Sequence, residues 1–188
     1  MIHEHGLFDE IKSIFDADRS AGELRLPDGT WLVSPAPEIA PKAWHHVMFA
    51  PPLSLSEINE IEVALNSRLP SAMRELLLLC NGMSLAGRKI SIWGKRRTWE
   101  RTVDKAWQPF DIVHHNIESE RPANSPAEVI FIGSIDQGEK WVFYDNSPET
   151  YGRIAETERM LFSPSRYWPD FDTWILDKLE MTGSLLTE

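Results

Sequence analysis

The 188-residue chain is poor in cysteine, in positive charge and in long apolar runs. Its single cysteine, Cys80, excludes an internal disulfide, and a buried thiol in an apolar segment is ordinarily inert as a nucleophile. No segment approaches the roughly 18 apolar residues of a membrane span, and the first residues lack the basic start and apolar core of a secretory signal. These features predict a soluble, cytoplasmic protein with no membrane partner.

Motifs for common catalytic chemistry are also missing. No GxSxG, GxxxxGK[ST] or GxGxxG pattern occurs, and the histidines come only as close pairs: His3/His5, His45/His46 and His114/His115. Adjacent side chains point to different sides of a helix or strand, so neither adjacent doublet predicts a two-ligand metal site. We therefore predict no metal site, no cofactor and no catalytic residue, which makes an enzyme the minority hypothesis.

Acidic residues outnumber basic ones by 29 to 19, and the net charge is −10. Residues 88–105 form a basic island with seven basic and two acidic side chains, whereas residues 106–188 carry six basic and 15 acidic ones. Phosphate binding needs a basic face, so this balance disfavours a nucleic acid as direct partner. It suits a basic protein partner, although solubility alone is an alternative explanation.

The chain is organised around an apolar segment at residues 69–83. Pro70 suits a first helical position and Asn81-Gly82 suits a helix end, which predicts a helix between them. One apolar face contains Met73, Leu76, Leu77 and Cys80. Leu78 and Leu79 widen that face, so we expect the helix to be packed nearly all round.

A second helix is predicted directly upstream. Ser54 and Glu57 form a capping-box pattern, and the apolar residues that follow at helical spacing are Ile58, Ile61 and Leu65. The helix also carries Glu57, Glu60 and Glu62, which we interpret as favourable charge near a helix start and as a solvated face rather than as catalytic carboxylates.

The remaining elements predict an α+β fold. Helices are indicated at 7–16 and 170–179, a β-hairpin at 23–26 and 31–33, and strands at 89–93, 128–133, 140–145 and 153–156. The proline-rich segment 34–52 is expected to be an ordered connector. Segment 95–107 is expected to be a helix or lid that turns Trp99, Val103 and Trp107 inward, in preference to a base-stacking surface.

We thus expect a central, mostly antiparallel sheet of about four to six strands, flanked by helices. Residues 1–50 are predicted to form a helix-hairpin extension packed on the core, and residues 51–188 the main domain.

Several short patterns together resemble the SUKH superfamily, the Smi/Knr-like proteins. They are Leu53-Ser54-x-x-Glu57-Ile58, then Leu69-Pro70-x-x-x-Arg74-x-Leu76-Leu77, Cys80-Asn81-Gly82, Ile132-Gly133, the strand 141–145 and a closing helix from Phe171. The resemblance extends over roughly two thirds of the chain, from Leu53 to Leu179. It implies a non-catalytic protein-binding function.

Many bacterial members of this superfamily are immunity proteins that bind and neutralise a cognate polymorphic toxin, often a nuclease. The resemblance therefore implies a basic toxin as partner. Its eukaryotic members suggest the alternative, a regulatory or scaffold module. Partner-contacting residues vary within the family, so the candidate surface is chosen from turn carboxylates expected to be exposed and clustered: Asp136, Glu139, Asp145 and Glu149. Ordinary surface charge is the alternative reading of these four.

Overall fold

A computed structural model describes residues 6–100, 107–117 and 120–183. Within these residues, one antiparallel sheet of nine strands and four α-helices make an α+β fold, as predicted. The strands lie in the sheet in chain order: β1 (Glu23–Arg25), β2 (Trp31–Pro35), β3 (Trp44–Met48), β4 (Met83–Leu85), β5 (Ile90–Ile92), β6 (Val129–Ile135), β7 (Lys140–Asp145), β8 (Ile154–Glu158) and β9 (Arg166–Trp168).

The four helices are α1 (Leu7–Asp18), α2 (Leu55–Leu65), α3 (Ser71–Leu79) and α4 (Phe171–Gly183). Each coincides with a predicted helix to within a few residues. Their apolar residues join those of the sheet in one core, which includes Phe15, Ile58, Met73, Leu77, Trp174 and Ile175.

The sheet is wider than the expected four to six strands because the N-terminal region joins it. The predicted hairpin forms β1 and β2, and the segment predicted to be a connector contains β3, which was missed. In β3, Val47 pairs with Ser84 and Met48 with Met83 of β4. The prolines of this segment lie before and after β3, so they do not interrupt it. The domain boundary at residue 50 stays a prediction.

The two faces of the sheet differ in what packs against them. Trp31, Met83 and Ile92 lie on the face whose core includes residues of α2, α3 and α4. Because side chains alternate along a strand, their neighbours point the other way. This second face carries Leu32, Val47, Ser84, Ser91 and Ser134, placed side by side by the strand register.

Helix α2 starts as predicted, and α3 differs in two respects. Ser54 and Glu57 form the capping box, with the Glu57 N–H donating to Ser54 Oγ at 3.2 Å. Pro70 is the N-cap of α3 and not its first helical residue. Leu78 and Leu79 are 38% and 47% exposed, so the expectation that α3 is packed all round is wrong. A nine-residue helix against one sheet face buries one stripe only.

Helix α4 closes the core as expected. Asp170 caps it by accepting the Thr173 N–H at 2.8 Å, and the helix buries the apolar stripe that begins at Phe171. Two side chains of α4 converge on Glu156 of β8. Trp174 Nε1 donates to Glu156 Oε1 at 2.9 Å, and Lys178 Nζ lies 2.7 Å from the same oxygen. The helix is thereby fixed to the sheet by packing and by a buried ion pair.

Segment 95–100 is not helical. Trp99 is 62% exposed, so the prediction that it turns inward is wrong, whereas Trp107 is half-buried against the second face of the sheet. Val103, the third residue of the predicted stripe, lies outside the described residues. The buried tryptophan of this region is Trp93, whose ring meets the edge of Trp141 with centroids 4.9 Å apart.

Candidate partner-binding surface

The four predicted contact carboxylates lie at opposite ends of β7. Asp136 and Glu139 are exposed in the turn between β6 and β7, whereas Asp145 and Glu149 belong to the turn between β7 and β8. The six residues of β7 place these ends about 17 Å apart. The expectation of a single exposed cluster is therefore wrong, although a role for these residues in binding stays a prediction.

Asp145 organises its own turn. It is only 9% exposed, and it accepts hydrogen bonds from the Ser147 backbone N–H at 3.0 Å, from Ser147 Oγ at 2.5 Å and from Thr150 Oγ1 at 2.6 Å. Burial raises the pKa of Asp145, but these hydrogen bonds outweigh it and the net pKa lies below its ordinary value. Asp145 is thus a buried turn-forming carboxylate, and Glu149 is the exposed carboxylate of this turn.

A cleft of about 650 Å³ opens beside the same turn. Its walls come from the corner between α2 and α3, from the β7–β8 turn and from the start of α4. Tyr144 and Tyr151 line it with ring centroids 5.7 Å apart, and Tyr151 is 62% exposed. The Tyr144 hydroxyl donates to Asn146 Oδ1 at 3.2 Å. Because Tyr144 is only 1% exposed, Tyr151 is the aromatic side chain that the cleft offers to a partner.

The cleft carries an excess of negative charge at the start of α4. Arg74 Nη1 donates to both oxygens of Glu62, at 2.8 and 2.7 Å, so these two wall charges neutralise each other. The exposed Asp170 and Asp172 also line the cleft, against the single exposed cation Arg68.

The pKa of Asp172 is raised, first by its partial burial and then by the negative charge of Asp170 and Glu75. This part of the surface therefore has a negative potential that a cationic group would relieve.

Helix α2 contributes a second charged cluster, and it is already satisfied internally. Arg97 Nη2 lies 3.0 Å from Glu57 Oε1, Lys95 Nζ lies 2.7 Å from Glu60 Oε2, and Glu62 pairs with Arg74. The pKa of Glu57 is lowered to about 2, chiefly by the hydrogen bond from the Ser54 backbone and then by Arg97. The predicted solvated face of α2 therefore also carries ion pairs, and Glu60 is 63% exposed within its pair.

The two histidines of the 45/46 doublet have different surroundings. His45 Nε2 contacts Glu38 Oε1 at 2.8 Å, whereas His46 is buried and its Nε2 lies 2.6 Å from Asp18 Oδ2. In the described ranges, no three His, Cys, Asp or Glu side chains come together as metal ligands would. Cys80 is buried, and burial raises the pKa of its thiol to about 12.

Comparison with known proteins identifies one family. A model of the SMI1 / KNR4 family (SUKH-1) matches residues 52–177, which confirms the resemblance inferred from the motifs. No curated protein is matched. The matched range contains the whole lining of the cleft and leaves out β1 to β3. Across the part of the chain that the structure describes, no helix is long and apolar enough to cross a membrane.

Proposed function

Because the chain belongs to the SMI1 / KNR4 family (SUKH-1), we propose that it is a non-catalytic immunity protein that binds a basic cognate toxin and covers its active surface. The observation that supports this proposal is the anionic, tyrosine-lined cleft at the start of α4. The protein acts by occupancy in the cytoplasm, where an injected toxin would meet it, and the proposed mechanism uses no cofactor.

The cleft suits a lysine or arginine side chain of the toxin. Asp170 and Asp172 would pair with the incoming cation, and the ring of Tyr151 would stack on it. A protein–protein interface buries about 1,600 Å² in total, and a few central anchors supply most of its affinity. The cleft is the proposed anchor, and on the adjoining turn Glu149 stays a candidate contact, with the exposed cation Arg153 nearby in sequence.

A nuclease is the toxin class that this charge pattern fits best. A nuclease must present positive charge to the phosphates of its substrate, and an acidic inhibitor competes for that surface. Opposite charges also accelerate association, and added salt weakens this effect. The proposed complex therefore forms quickly at low salt and more slowly as the salt concentration rises.

The decisive experiment measures association between the full chain and the toxin encoded beside its gene, at low and at raised salt. The double variant Asp172→Lys with Tyr151→Ala should lose affinity by about a hundredfold or more, as expected for loss of an anchor. Asp16→Lys is the matched control, because Asp16 is an exposed carboxylate on α1, outside the cleft. It changes the net charge by the same amount as Asp172→Lys and should leave affinity within about twofold of that of the parent protein.

Toxin binding that neither salt nor the double variant alters would overturn the role of the cleft. Capture of host proteins, with no binding to the toxin, would favour the regulatory or scaffold function instead.

A further inference from the structure

The second face of the sheet carries a cavity that the proposed toxin surface does not use. Its volume is about 720 Å³, within the range typical of small-molecule sites. Val47, Ser84 and Ser91, side by side on β3, β4 and β5, form its floor. The loop before β3 and the segment 107–110 form its sides.

The walls of the cavity are largely apolar. Val47 and Phe49 are only 3% and 8% exposed, and they belong to a small hydrophobic cluster on which Trp44 and Trp107 pack. Trp44, Trp107 and Phe110 also line the cavity. With Phe49, four aromatic side chains surround this apolar space, and they favour a ligand with a flat or extended apolar body.

Ser84 provides a polar group in the floor that has no partner. Its residue is 6% exposed, and its Oγ is buried without a hydrogen bond to any of the described residues. Because this oxygen is buried beneath the floor, the hydroxyl makes the floor locally polar without offering a direct contact to a ligand.

Two guanidinium groups lie at the cavity and determine the sign of the ligand. Arg88 lies over the Phe110 ring at 5.2 Å, and Arg96 lies over the Trp99 ring at 4.5 Å. Neither forms an ion pair with a carboxylate of the described residues, in contrast to Lys95 and Arg97 beside them. Arg96 Nε donates to the Thr98 carbonyl at 3.0 Å, and the remaining N–H groups of the two stacked guanidinium groups suit a carboxylate or another oxyanion.

We propose that this cavity is a binding site for a small organic anion: an apolar body between Trp44, Trp107 and Phe110, and an anionic head at Arg88 and Arg96. The site is distinct from the proposed toxin surface both in position and in charge. The cleft at the start of α4 would thus bind a cationic side chain of a protein partner, and the cavity on the second face of the sheet would bind a small organic anion.

The probe is 1-anilinonaphthalene-8-sulfonate, an aromatic sulfonate whose fluorescence rises in apolar surroundings. The native full chain should bind it saturably at one site, and decanoate should displace it. Decanol has the same body without the charge and should compete at least tenfold more weakly, as expected when one charged contact is lost.

Two variants test the assignment. Removing both guanidinium groups with Arg88→Ala and Arg96→Ala, while the exposed Lys42 of the lining stays in place, should weaken decanoate binding at least tenfold. The control Arg153→Ala with Arg159→Ala removes two exposed cations outside the cavity and should not. Ala43→Trp places a bulky side chain at the half-buried edge of the cavity and should abolish binding of both probes.

Thermal unfolding of each variant separates loss of the site from loss of the fold. Binding that is non-saturable, unchanged in the Ala43→Trp variant, or equal for decanol and decanoate would overturn the proposal, as would the absence of binding at millimolar probe.

Discussion

Asn81 and Lys95 are joined by two reciprocal hydrogen bonds. Asn81 Nδ2 donates to the Lys95 carbonyl at 2.7 Å, and the Lys95 N–H donates to Asn81 Oδ1 at 2.8 Å. The Asn81 side chain is buried, and the two glycines beside this contact leave no room for a Cβ: one at Gly82 would lie 2.6 Å from Ile92 O, and one at Gly94 would collide with Asn81 O. The Asn-Gly pair therefore fastens the end of α3 to the chain that follows β5.

The two hydrogen bonds between Asn81 and Lys95 should stabilise the fold. Asn81→Ala leaves the N–H and the carbonyl of Lys95 without their partner, and each such group costs about 1–3 kcal/mol when buried. We expect a clear fall in the free energy of unfolding, measured by chemical denaturation. Asn59→Ala, at an exposed position of α2, is the control and should change that energy by less than about 0.5 kcal/mol.

Leucines 77 and 78 make a matched pair on α3. Leu77 is fully buried, so Leu77→Ala should cost about 2–5 kcal/mol of unfolding free energy, whereas Leu78 is 38% exposed and Leu78→Ala should cost less than about 1 kcal/mol. Denaturant titrations of both variants give the comparison. Equal losses at the two positions would show that the buried face of α3 is assigned incorrectly.

Acid should destabilise the protein through His46. Burial lowers the pKa of His46, against the opposing effect of Asp18, and its Nδ1 accepts the Ala86 N–H at 3.4 Å. In the unfolded chain, His46 therefore takes up a proton near pH 6.5, whereas in the folded protein it is still neutral at that pH. The free energy of unfolding consequently falls as the pH drops below about 6.5.

The measurement is the free energy of unfolding between about pH 7.5 and about pH 5. His46→Gln should flatten its dependence on pH while lowering stability at the upper end. Parallel curves for the two proteins would assign the acid sensitivity to other groups.

The thiol of Cys80 should be unreactive in the folded protein. Burial raises its thiol pKa to about 12, so almost no thiolate forms at neutral pH and no reagent reaches the sulfur. We expect labelling by a disulfide reagent to be slow in buffer and complete in denaturant. Fast labelling of the native protein would place Cys80 at the surface.

The role of the turn between β6 and β7 in toxin binding can be tested separately from that of the cleft. Asp136→Lys with Glu139→Lys reverses two exposed charges, and should slow toxin association less than the Asp172→Lys and Tyr151→Ala changes at the cleft, with thermal stability nearly unchanged. The measurement is the rate at which the toxin associates with each immobilised variant. A larger effect at residues 136 and 139 would move the anchor to that turn.

Most of the fold was predictable because its signals are local. The Ser54–Glu57 capping box, the apolar stripe of α4 and the alternation in β5 each lie within about a dozen residues. Strand β3 was not predictable in this way, because its residues Trp44–Met48 are flanked by prolines and include two polar histidines. Its partners β2 and β4 define it, and one of them lies more than 30 residues away.

The candidate surface was less predictable than the fold. The cleft brings together the α2–α3 corner, the turn at Tyr151 and the start of α4, which are distant in sequence and meet only after folding. One error was avoidable: the Asp145-Asn146-Ser147 sequence is typical of a turn in which the carboxylate bonds to the backbone two residues on. That pattern indicates that the Asp145 carboxylate bonds within its own turn.

The order of the sheet has a consequence for how this chain tolerates change. Among the described residues, every strand pairs with the strand next to it in sequence, so none of the pairings joins distant strands. A strand at either edge of the sheet can then be removed without rerouting the rest, and β1 to β3 at one edge lie outside the family-matched range. A chain shortened to begin at residue 51 would leave the backbone of β4 as an open margin, and such unpaired margins invite self-association.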